Sequence, residues 1–368
     1  MGNWKNGELG DFVTLKRGFD LPQQKREDGQ VPIFSSSGIT GTHSTAMVKA
    51  PGVITGRYGT IGEVFYAAKD FWPLNTTLFV EDFHGNDAKF IYYFLKTLEW
   101  SKFTSASAVP GINRNTVHKE IVSLPDIETQ RRIASTLSMF DEKIKINTEI
   151  NDNLYEMVNA YYTSLFKDVE CEMTTIGNYA ERIYSGGTPT TSNAAYWDGA
   201  FGWFSSGETR NRFVISTEKT ITQAGIDNSS TKLAAKHDIV MASAGQGFTR
   251  GQTSMLLIDT YVNQSVIVIH AERKVLPYLF WNLANRYEEL RAISDSSSIR
   301  GSLTTKMIAA FEIPLANEES LQAFADFSWS VIPKIENNLL ENERLAALRD
   351  NLLPKLMSGE IDVSNIQL

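Results

Sequence analysis

The sequence predicts a mixed α/β (α+β) protein. In it, two similar globular domains are each followed by a long helix, and the two helices pair as an antiparallel coiled coil with pseudo-two-fold symmetry. Three observations predict this arrangement: the sequence repeats in two halves, acidic charge is concentrated in two segments, and both segments carry apolar residues at alternating spacings of three and four. The predicted parts are a first domain (1–124), a first helix (125–168), a second domain (169–313), a second helix (314–360) and a C-terminal tail (361–368).

Composition and charge set the broad class. The chain has 368 residues, of which 42% are hydrophobic, and a formal net charge of −8. No apolar run of about 18 residues and no signal peptide is present, so we expect a soluble, cytoplasmic protein. The single cysteine, Cys171, excludes an intrachain disulfide and a cysteine-based zinc site, and the five histidines are scattered, so no metal is expected. Nearly all the excess acid lies in 125–171 and 314–368, so the near-neutral remainder can still present a basic face to nucleic acid.

The two near-neutral segments match each other in six places, in the same order. Each pair joins similar elements, such as an apolar strand followed by a glycine-rich turn, or an apolar and aromatic helix. Six matches in order indicate an internal duplication. The pairs are LGDFVTLKRG (Leu9–Gly18) with IGNYAERIYSG (Ile176–Gly186), IFSSSG (Ile33–Gly38) with WFSSGE (Trp203–Glu208), VITGRYGTIG (Val53–Gly62) with IVMASAGQGFTRG (Ile239–Gly251), LNTTLFV (Leu74–Val80) with VNQSVIVI (Val262–Ile269), FIYYFL (Phe90–Leu95) with YLFWNL (Tyr278–Leu283), and IVSLP (Ile121–Pro125) with AFEIP (Ala310–Pro314).

Each acidic segment carries the seven-residue repeat of a pairing helix. Asp126 and Asn317 are candidate N-caps, and Gly359 is a candidate stop for the second helix. Each helix would run about 40 residues, or roughly 60 Å. The first seam is Ile133, Leu137, Phe140, Ile144, Asn147, Asn151, Leu154, Val158, Tyr161 and Leu165. The second, rougher at Ser328 and Arg349, is Phe324, Ser328, Val331, Ile335, Asn338, Asn342, Leu345, Arg349, Leu352 and Leu356.

Both seams contain two asparagines at the same place. An antiparallel pair would set Asn147 opposite Asn342 and Asn151 opposite Asn338. Polar residues within a seam weaken a coiled coil but fix its register and orientation. The alternative is that each helix packs only on its own domain. Two similar modules separated by a helical spacer suit a ligand with two separated sites, and DNA half-sites are the obvious case.

At the start of the first helix the sequence resembles a known family. The stretch LPDIETQRRIASTLSMFDEKI (Leu124–Ile144), with QRRIA at Gln130–Ala134, is similar to the DNA-specificity (S) subunit of type I restriction-modification systems. The closing stretch LLPKLMSGEI (Leu352–Ile361) is typical of the same family. The second helix departs from it because its opening, NEESLQAF (Asn317–Phe324), lacks the QRRIA core. The order of domains and helices is similar over essentially the whole chain.

The resemblance implies a non-catalytic subunit of a multisubunit DNA adenine methyltransferase and endonuclease that acts in phage defence. Each globular domain, called a target recognition domain, would read one half of a bipartite double-stranded DNA target. The helices would set the gap between the halves and dock two methyltransferase (modification) subunits, and restriction subunits would join the full complex. S-adenosylmethionine would bind the methyltransferase partner, so no cofactor is expected in this chain.

The sequence motifs give no sign of an active site in the chain itself. Neither G-x-x-x-x-G-K-[ST] nor G-x-S-x-G occurs, and no N-P-P-Y-type stretch is present. The glycine-rich turns GRYGTIG and AGQGFTRG do not open a convincing helix, and no acidic residue follows at the spacing of a dinucleotide site. We therefore expect no catalytic residue and no cofactor or metal site.

Polar and basic residues occupy corresponding turns in both repeats, as expected for DNA contact, because Arg pairs with guanine and Asn or Gln with adenine. Arg57 and Arg250 are the strongest candidates, since glycine-rich turns let the backbone approach a ligand. Two alternatives stay open: a two-module protein-binding scaffold, and a subunit of an orphan DNA adenine methyltransferase without a restriction partner. The candidates are Ser35, Ser36, Ser37, Arg57, Tyr58, Thr60, Asn75, Thr76, Thr77, Asn113 and Arg114 in the first domain, and Ser205, Ser206, Arg210, Arg212, Gln246, Thr249, Arg250, Asn263, Gln264, Ser265 and Arg300 in the second.

Overall fold

A computed structural model describes residues 4–104, 110–166, 172–245, 248–296 and 301–363. The chain divides into two compact units. The first unit is Met1–Ile144 with Arg344–Leu368, and the second is Lys145–Glu343. Each unit therefore contains one globular domain together with a segment of both long helices. The domain limits predicted above, which assign each helix as a separate part, stay a prediction.

The first domain is built on a four-stranded sheet in the order β2-β8-β5-β6, a three-stranded sheet β4-β3-β7 and the pair β1-β9. Helix α2 buries its aromatic face against this framework, as the FIYYFL run predicts. The elements are β1 Lys5–Glu8, α1 Leu9–Phe12, β2 Thr14–Arg17, β3 Val31–Ser35, β4 Gly38–His43, β5 Gly52–Gly56, β6 Val64–Ala67, β7 Trp72–Pro73, β8 Thr77–Asp82, α2 Ala88–Lys96, α3 Arg114–His118, β9 Ile121–Leu124 and the long helix α4 Ile127–Phe166.

The second domain has a five-stranded sheet in the order β11-β19-β16-β17-β13, a four-stranded sheet β14-β12-β18-β15 and the pair β10-β20. Helix α7 carries the YLFWNL run and is buried along most of its length. The elements are β10 Met173–Thr175, α5 Ile176–Tyr179, β11 Ala180–Ser185, β12 Trp197–Phe204, β13 Phe213–Val214, β14 Lys219–Ile221, α6 Gln223–Asp227, β15 Lys232–Ala234, β16 Ile239–Ala242, β17 Thr253–Leu256, β18 Thr260–Val262, β19 Val266–Ala271, α7 Leu276–Asn285, α8 Tyr287–Ser296, α9 Thr305–Ala309, β20 Glu312–Pro314 and the long helix α10 Glu318–Met357.

The predicted duplication is present in the backbone of the two domains. The order β2-β8-β5-β6 in the first domain corresponds to β11-β19-β16-β17 in the second. The same hydrogen bonds recur: the Leu74 amide donates to the Phe34 carbonyl at 2.8 Å, and the Asn263 amide donates to the Phe204 carbonyl at 3.1 Å. The two domains are therefore two copies of one fold that carry different side chains.

Both long helices begin at the predicted caps. The Asp126 carboxylate accepts a hydrogen bond from the Thr129 amide at 2.9 Å, and the Asn317 side chain accepts one from the Ser320 amide at 2.8 Å. Each satisfies a backbone donor that lacks a partner within the helix. Gly359 has a φ of +76°, the left-handed conformation that commonly ends a helix.

Within the second unit, α4 and α10 pair in opposite directions through the four asparagines. Asn147 Nδ2 donates to Asn342 Oδ1 at 2.9 Å, and Asn338 Nδ2 donates to Asn151 Oδ1 at 2.8 Å. Asn151 also donates to the Ile335 carbonyl at 3.3 Å. These are the facing pairs that the seven-residue spacing predicts. The alternative in which each helix packs only on its own domain is wrong.

Within the first unit the same two helices pack through apolar residues. Ile133 and Leu137 are buried in one cluster with Leu353 and Leu356. Arg349 interrupts the apolar seam. It is one of the two positions at which the second helix departs from the predicted apolar repeat. Its guanidinium forms an ion pair with Asp141 at 2.6 Å, where both side chains are shielded from solvent.

Asp141 also joins the helix pair to the first domain. The Tyr93 hydroxyl of α2 donates to the Asp141 carboxylate at 2.5 Å. Burial raises the pKa of Tyr93 well above its usual range, and the bond to Asp141 raises it further. The phenol therefore stays protonated and keeps this hydrogen bond at any physiological pH.

We predict that Asn151→Ala lowers the free energy of unfolding by about 1–3 kcal/mol, because it leaves the Asn338 amide and the Ile335 carbonyl without their partner in a buried seam. Asn153→Ala is the matched control: the same residue type on the same helix, but exposed, with an expected change within about 0.5 kcal/mol. Urea denaturation of the purified chain measures both. Equal effects would contradict a structural role for the asparagine pairs.

Candidate nucleic-acid interface

An open cleft of about 720 Å³ lies in the first domain. The end of β2, the turn after β5 and the segment that leads into α3 converge there. We call it the first-domain cleft. An excess of cations in a concave surface attracts a polyanion. The charged, amide and phenol side chains that line it are Lys16, Arg17, Asp20, Arg57, Tyr58, Asn113, Arg114 and Asn115.

The turn that carries Arg57 and Tyr58 is held in place by its backbone. The Arg57 amide donates to the Thr76 carbonyl at 2.9 Å, and its carbonyl accepts from the Ile112 amide at 3.0 Å. The Tyr58 ring lies directly over Gly111, where an added Cβ would come within 2.2 Å of Tyr58 Cε1. The Arg57 guanidinium in turn lies 4.5 Å from the centre of the Tyr58 ring. Arg57 is therefore positioned before any ligand arrives.

The four cations of the first-domain cleft are not equally available. Lys16 and Arg17 each have a neighbouring carboxylate, at 2.5 and 3.9 Å respectively. Among the described residues, no carboxylate lies within 4.0 Å of the Arg57 or Arg114 guanidinium. An anionic ligand would displace no carboxylate of the described residues from these two arginines, so they are more available to an anion than Lys16 and Arg17.

His118 fixes α3, and with it Arg114, against the sheet. Its Nε2 accepts a hydrogen bond from the Leu15 amide of β2 at 2.9 Å, which requires a neutral ring. Burial lowers the pKa of His118, and the neighbouring Arg114 and His84 lower it further. The ring therefore remains an acceptor at neutral pH and holds this wall of the cleft.

The structure brings four of the predicted residues into the first-domain cleft: Arg57, Tyr58, Asn113 and Arg114. The others lie around it or support it. Asn75 donates to Asp20 at the rim, and Thr60 is exposed on the same turn as Arg57. Ser36 approaches this turn, since a Cβ on Gly59 would lie 3.2 Å from its hydroxyl.

Some predicted residues of the first domain have structural roles instead. Ser35 accepts from the Ser37 amide at 3.2 Å and closes its own turn. Thr76 supplies the carbonyl that positions Arg57. Thr77 is fully buried, and its hydroxyl donates to the Leu74 carbonyl at 2.7 Å, so the prediction that it contacts DNA is wrong.

Lys16, Arg17 and Asn115 line the first-domain cleft but were missed in the sequence. Lys16 and Arg17 are the KR of LGDFVTLKRG, a segment that we used only as evidence of duplication. The signal available in the sequence was a pair of adjacent cations at the end of a strand, just before a glycine.

The second domain carries different chemistry at the position of Arg57. The Ser243 amide donates to the Ser265 carbonyl and the Leu303 amide to the Ser243 carbonyl, both at 2.8 Å. These bonds match those of Arg57 in the first domain, so Ser243 is the structural equivalent of Arg57. Ser265 is likewise the equivalent of Thr76. The two domains therefore present different side chains at this equivalent place.

Arg210 and Arg212 line another cleft, of about 600 Å³, within the second unit. Both are engaged by carboxylates. Arg210 is paired with Glu218, and Arg212 lies 3.3 Å from Asp152. The Arg212 guanidinium also lies 4.3 Å from the centre of the Tyr155 ring on α4. The described residues of the turn that carries Ser243 do not line this cleft.

Arg250 is buried, with 8% of its surface exposed, which contradicts the prediction that it is presented to DNA. Its Nη1 donates to the Gly301 carbonyl at 2.7 Å, and its Nη2 is paired with Asp295. The arginine of this glycine-rich turn is therefore engaged by intramolecular contacts rather than presented to a ligand. Through these two contacts, Arg250 holds the glycine-rich turn to Asp295 of α8 and to Gly301.

The remaining candidates of the second domain are placed as follows. Asn263 is buried and accepts from the Ser265 amide at 2.9 Å. Ser205 begins a short 3₁₀-helix with Ser206, and its amide donates to Glu208 at 2.7 Å. Gln264 is exposed and accepts from Thr188, and Thr249 is half-buried. Gln246 and Arg300 lie outside the described residues.

Two further features concern the residues that the structure describes. No helix there is long and apolar enough to cross a membrane. No group of three or more His, Cys, Asp or Glu side chains in the same residues could hold a metal ion.

The fold defines a class of protein built from two copies of one domain, each followed by a long helix, and comparison with known proteins gives the family. The family described as the type I restriction modification DNA specificity domain matches residues 1–156 and 169–347, one copy for each half of the chain. The chain belongs to this family. Specificity subunits of type I systems are non-catalytic, since the methylase and nuclease activities lie in other subunits, and this chain is accordingly not an enzyme on its own.

Individual relatives are distant in sequence. The chain is 21% identical over 347 residues to the type I restriction enzyme HindI specificity subunit of Haemophilus influenzae, covering 72% of this chain and 75% of that one. It is 27% identical over 251 residues to the EcoR124I/EcoR124II specificity subunit of Escherichia coli, covering 65% of this chain and 61% of that one. The fold matches the S subunit of a type-I restriction-modification system from M. genitalium, with a TM-score of 0.64, 18% identity and 96% of both chains.

We predict that Arg250→Ala lowers the free energy of unfolding by about 1.5–3 kcal/mol, because it removes charge-assisted hydrogen bonds at a buried site. Arg182→Ala, at an exposed arginine of the same domain, is the control and should change it by no more than about 0.5 kcal/mol. Chemical denaturation measures both. A destabilisation no larger than that of the control would contradict the structural role of Arg250.

Proposed function

We propose that this chain is the DNA-reading subunit of a type I restriction-modification complex, in which each globular domain recognises one half of a bipartite double-stranded target. The observation that carries the proposal is the first-domain cleft. In it, two arginines without carboxylate partners lie beside asparagine and tyrosine side chains at the ends of a rigid sheet. Arginine and asparagine are the side chains that make bidentate contacts to guanine and adenine.

The two halves of the target are expected to differ in sequence. Arg57 of the first domain is replaced by Ser243 in the second, although the backbone around both is held by the same hydrogen bonds. A serine hydroxyl is less selective than a guanidinium because it can donate to or accept from any base or phosphate. The proposed target is therefore asymmetric, with its stronger guanine preference in the half that the first domain reads.

The long helices have a separate proposed role. They set the gap between the half-sites and dock two methyltransferase subunits, and restriction subunits join the larger assembly. Helices α4 and α10 expose charged side chains along much of their length, as a partner-facing surface would. S-adenosylmethionine belongs to the methyltransferase subunits, and the complex works in the cytoplasm on the DNA that it modifies.

We expect Arg57→Ala to weaken binding of the assembled complex to the first half-site by about 1–3 kcal/mol, the value of one bidentate contact to a base. Lys69→Ala is the control: it removes the same charge from an exposed position outside the first-domain cleft. Titration of the mapped target at fixed salt compares the two variants. Equal losses would show long-range electrostatics only, and unchanged affinity for Arg57→Ala would reject the assignment.

The net charge of −8 leads to a second expectation. The chain alone should bind its target weakly, because it repels the phosphate backbone overall, and the methyltransferase subunits should tighten binding by closing around the DNA. A salt titration with and without those subunits measures this. A chain that binds its target equally well alone would contradict the proposed clamp.

A further inference from the structure

The turn between β16 and β17 of the second domain is longer than its counterpart in the first. Ser243 corresponds to Arg57 by its backbone hydrogen bonds. Gly251 corresponds to Gly62, since each precedes a matching strand and has a positive φ, +86° and +88°. Seven residues lie between Ser243 and Gly251 in the second domain, whereas four lie between Arg57 and Gly62 in the first domain. The additional length lies where the first domain presents its cleft-lining turn.

This longer turn is tied to the domain at several points. Arg250 Nη1 donates to the Gly301 carbonyl at 2.7 Å and lies 3.5 Å from the Gly245 carbonyl. The Tyr287 hydroxyl of α8 donates to the carbonyl of Phe248 at 2.5 Å. The backbone at Phe248 is therefore held by a specific contact from a neighbouring helix.

The side chain of Phe248 nevertheless points into solvent. It is 85% exposed, more than any other large apolar side chain in the described part of the chain. The ring therefore adds little to the apolar core, and it lies on the turn that corresponds to the cleft-lining turn of the first domain. The ring is available for an external partner.

The surroundings of the ring favour a base step over a protein surface. Its neighbours in AGQGFTRG are small or polar, whereas a protein-docking site would place the ring in an apolar patch with other anchors. A single exposed phenylalanine whose own carbonyl is held by a hydrogen bond is the kind of side chain that inserts between base pairs and unstacks them. Aromatic rings also stack on any base, because every base presents a π-face.

We propose that Phe248 is an aromatic wedge that inserts between two base pairs of the half-site read by the second domain. This inference rests on the proposed DNA-reading function. Inserting a ring costs least at pyrimidine–purine steps, which unstack most easily. The wedge would thus add sequence preference to a domain whose equivalent of Arg57 is only a serine.

The test uses the complex with its methyltransferase subunits and duplexes of the mapped target, with 2-aminopurine placed at successive positions of the second half-site. The wild-type complex should raise the fluorescence at one step besides the methylated adenine, which a methyltransferase flips out of the stack in any case, because the probe brightens when it unstacks. Phe248→Ala should abolish the rise and weaken binding roughly 5- to 150-fold, the factor that corresponds to one base stacked on an aromatic ring. Phe248→Trp should retain both. Phe201→Ala, at another exposed phenylalanine of the same domain, is the matched control and should behave as wild type.

The other outcomes separate the inference from the function on which it rests. If the wild-type complex does not bind the mapped target, the proposed function fails. If it binds, but the fluorescence rises at no step other than the methylated adenine and Phe248→Ala binds normally, the wedge is overturned and DNA reading stands. If Phe248→Ala prevents assembly with the methyltransferase subunits in the absence of DNA, the ring contacts protein and the wedge is likewise overturned.

Discussion

The antiparallel pairing of α4 and α10 is the constraint on which the architecture depends. In the second unit, two asparagine pairs lie within the seam and hydrogen-bond to each other and to a backbone carbonyl. A one-turn slip in either direction would still pair one asparagine from each helix, but it would leave the other two facing apolar seam residues, at a cost of about 1–3 kcal/mol for each unsatisfied group. Leucine would pack better, but it would not discriminate between registers. The asparagines therefore make the helix pair less stable than leucines would, but they fix a single register between α4 and α10.

Each domain is attached to this helix pair by its own contacts. In the first unit, Asp141 of α4 binds Arg349 of α10 and Tyr93 of the first domain. In the second unit, Asn282 of α7 donates to the Tyr162 hydroxyl of α4 at 2.8 Å within an aromatic cluster. Buried polar contacts of this kind have strict geometry, so they orient each domain on its helices more exactly than apolar packing alone. The turns that carry Arg57 and Ser243 therefore each extend from a domain whose orientation on its helices is fixed.

Much of the architecture could be predicted because its signals are periodic or repeated. The seven-residue spacing identified both helices and the facing asparagines, and six matches in order identified the duplication. Caps such as Asp126 were predictable because the capping residue and its partner amide lie within one turn of the chain. These features depend on residues that are close in sequence or on one regular period.

The candidate site was harder to predict because its chemistry depends on distant partners. Arg250 and Arg57 look alike in the sequence, since each lies in a glycine-rich turn. Arg250 is buried because Asp295 and Gly301, far along the chain, supply its partners. Lys16 becomes part of a cleft only when β2 meets the segment before α3. No local sequence pattern distinguishes an arginine that faces a cleft from one that is buried in an intramolecular ion pair.

The central claim is that the two domains read two separate half-sites, and mapping methylated adenines genome-wide tests it most directly. Cells that express the methyltransferase partner would be compared with and without this chain, and with the Arg57→Ala variant. The account predicts a bipartite, asymmetric motif with a fixed gap that disappears without the chain and that loses stringency only in one half in the variant. A continuous motif, or methylation that persists without the chain, would contradict it.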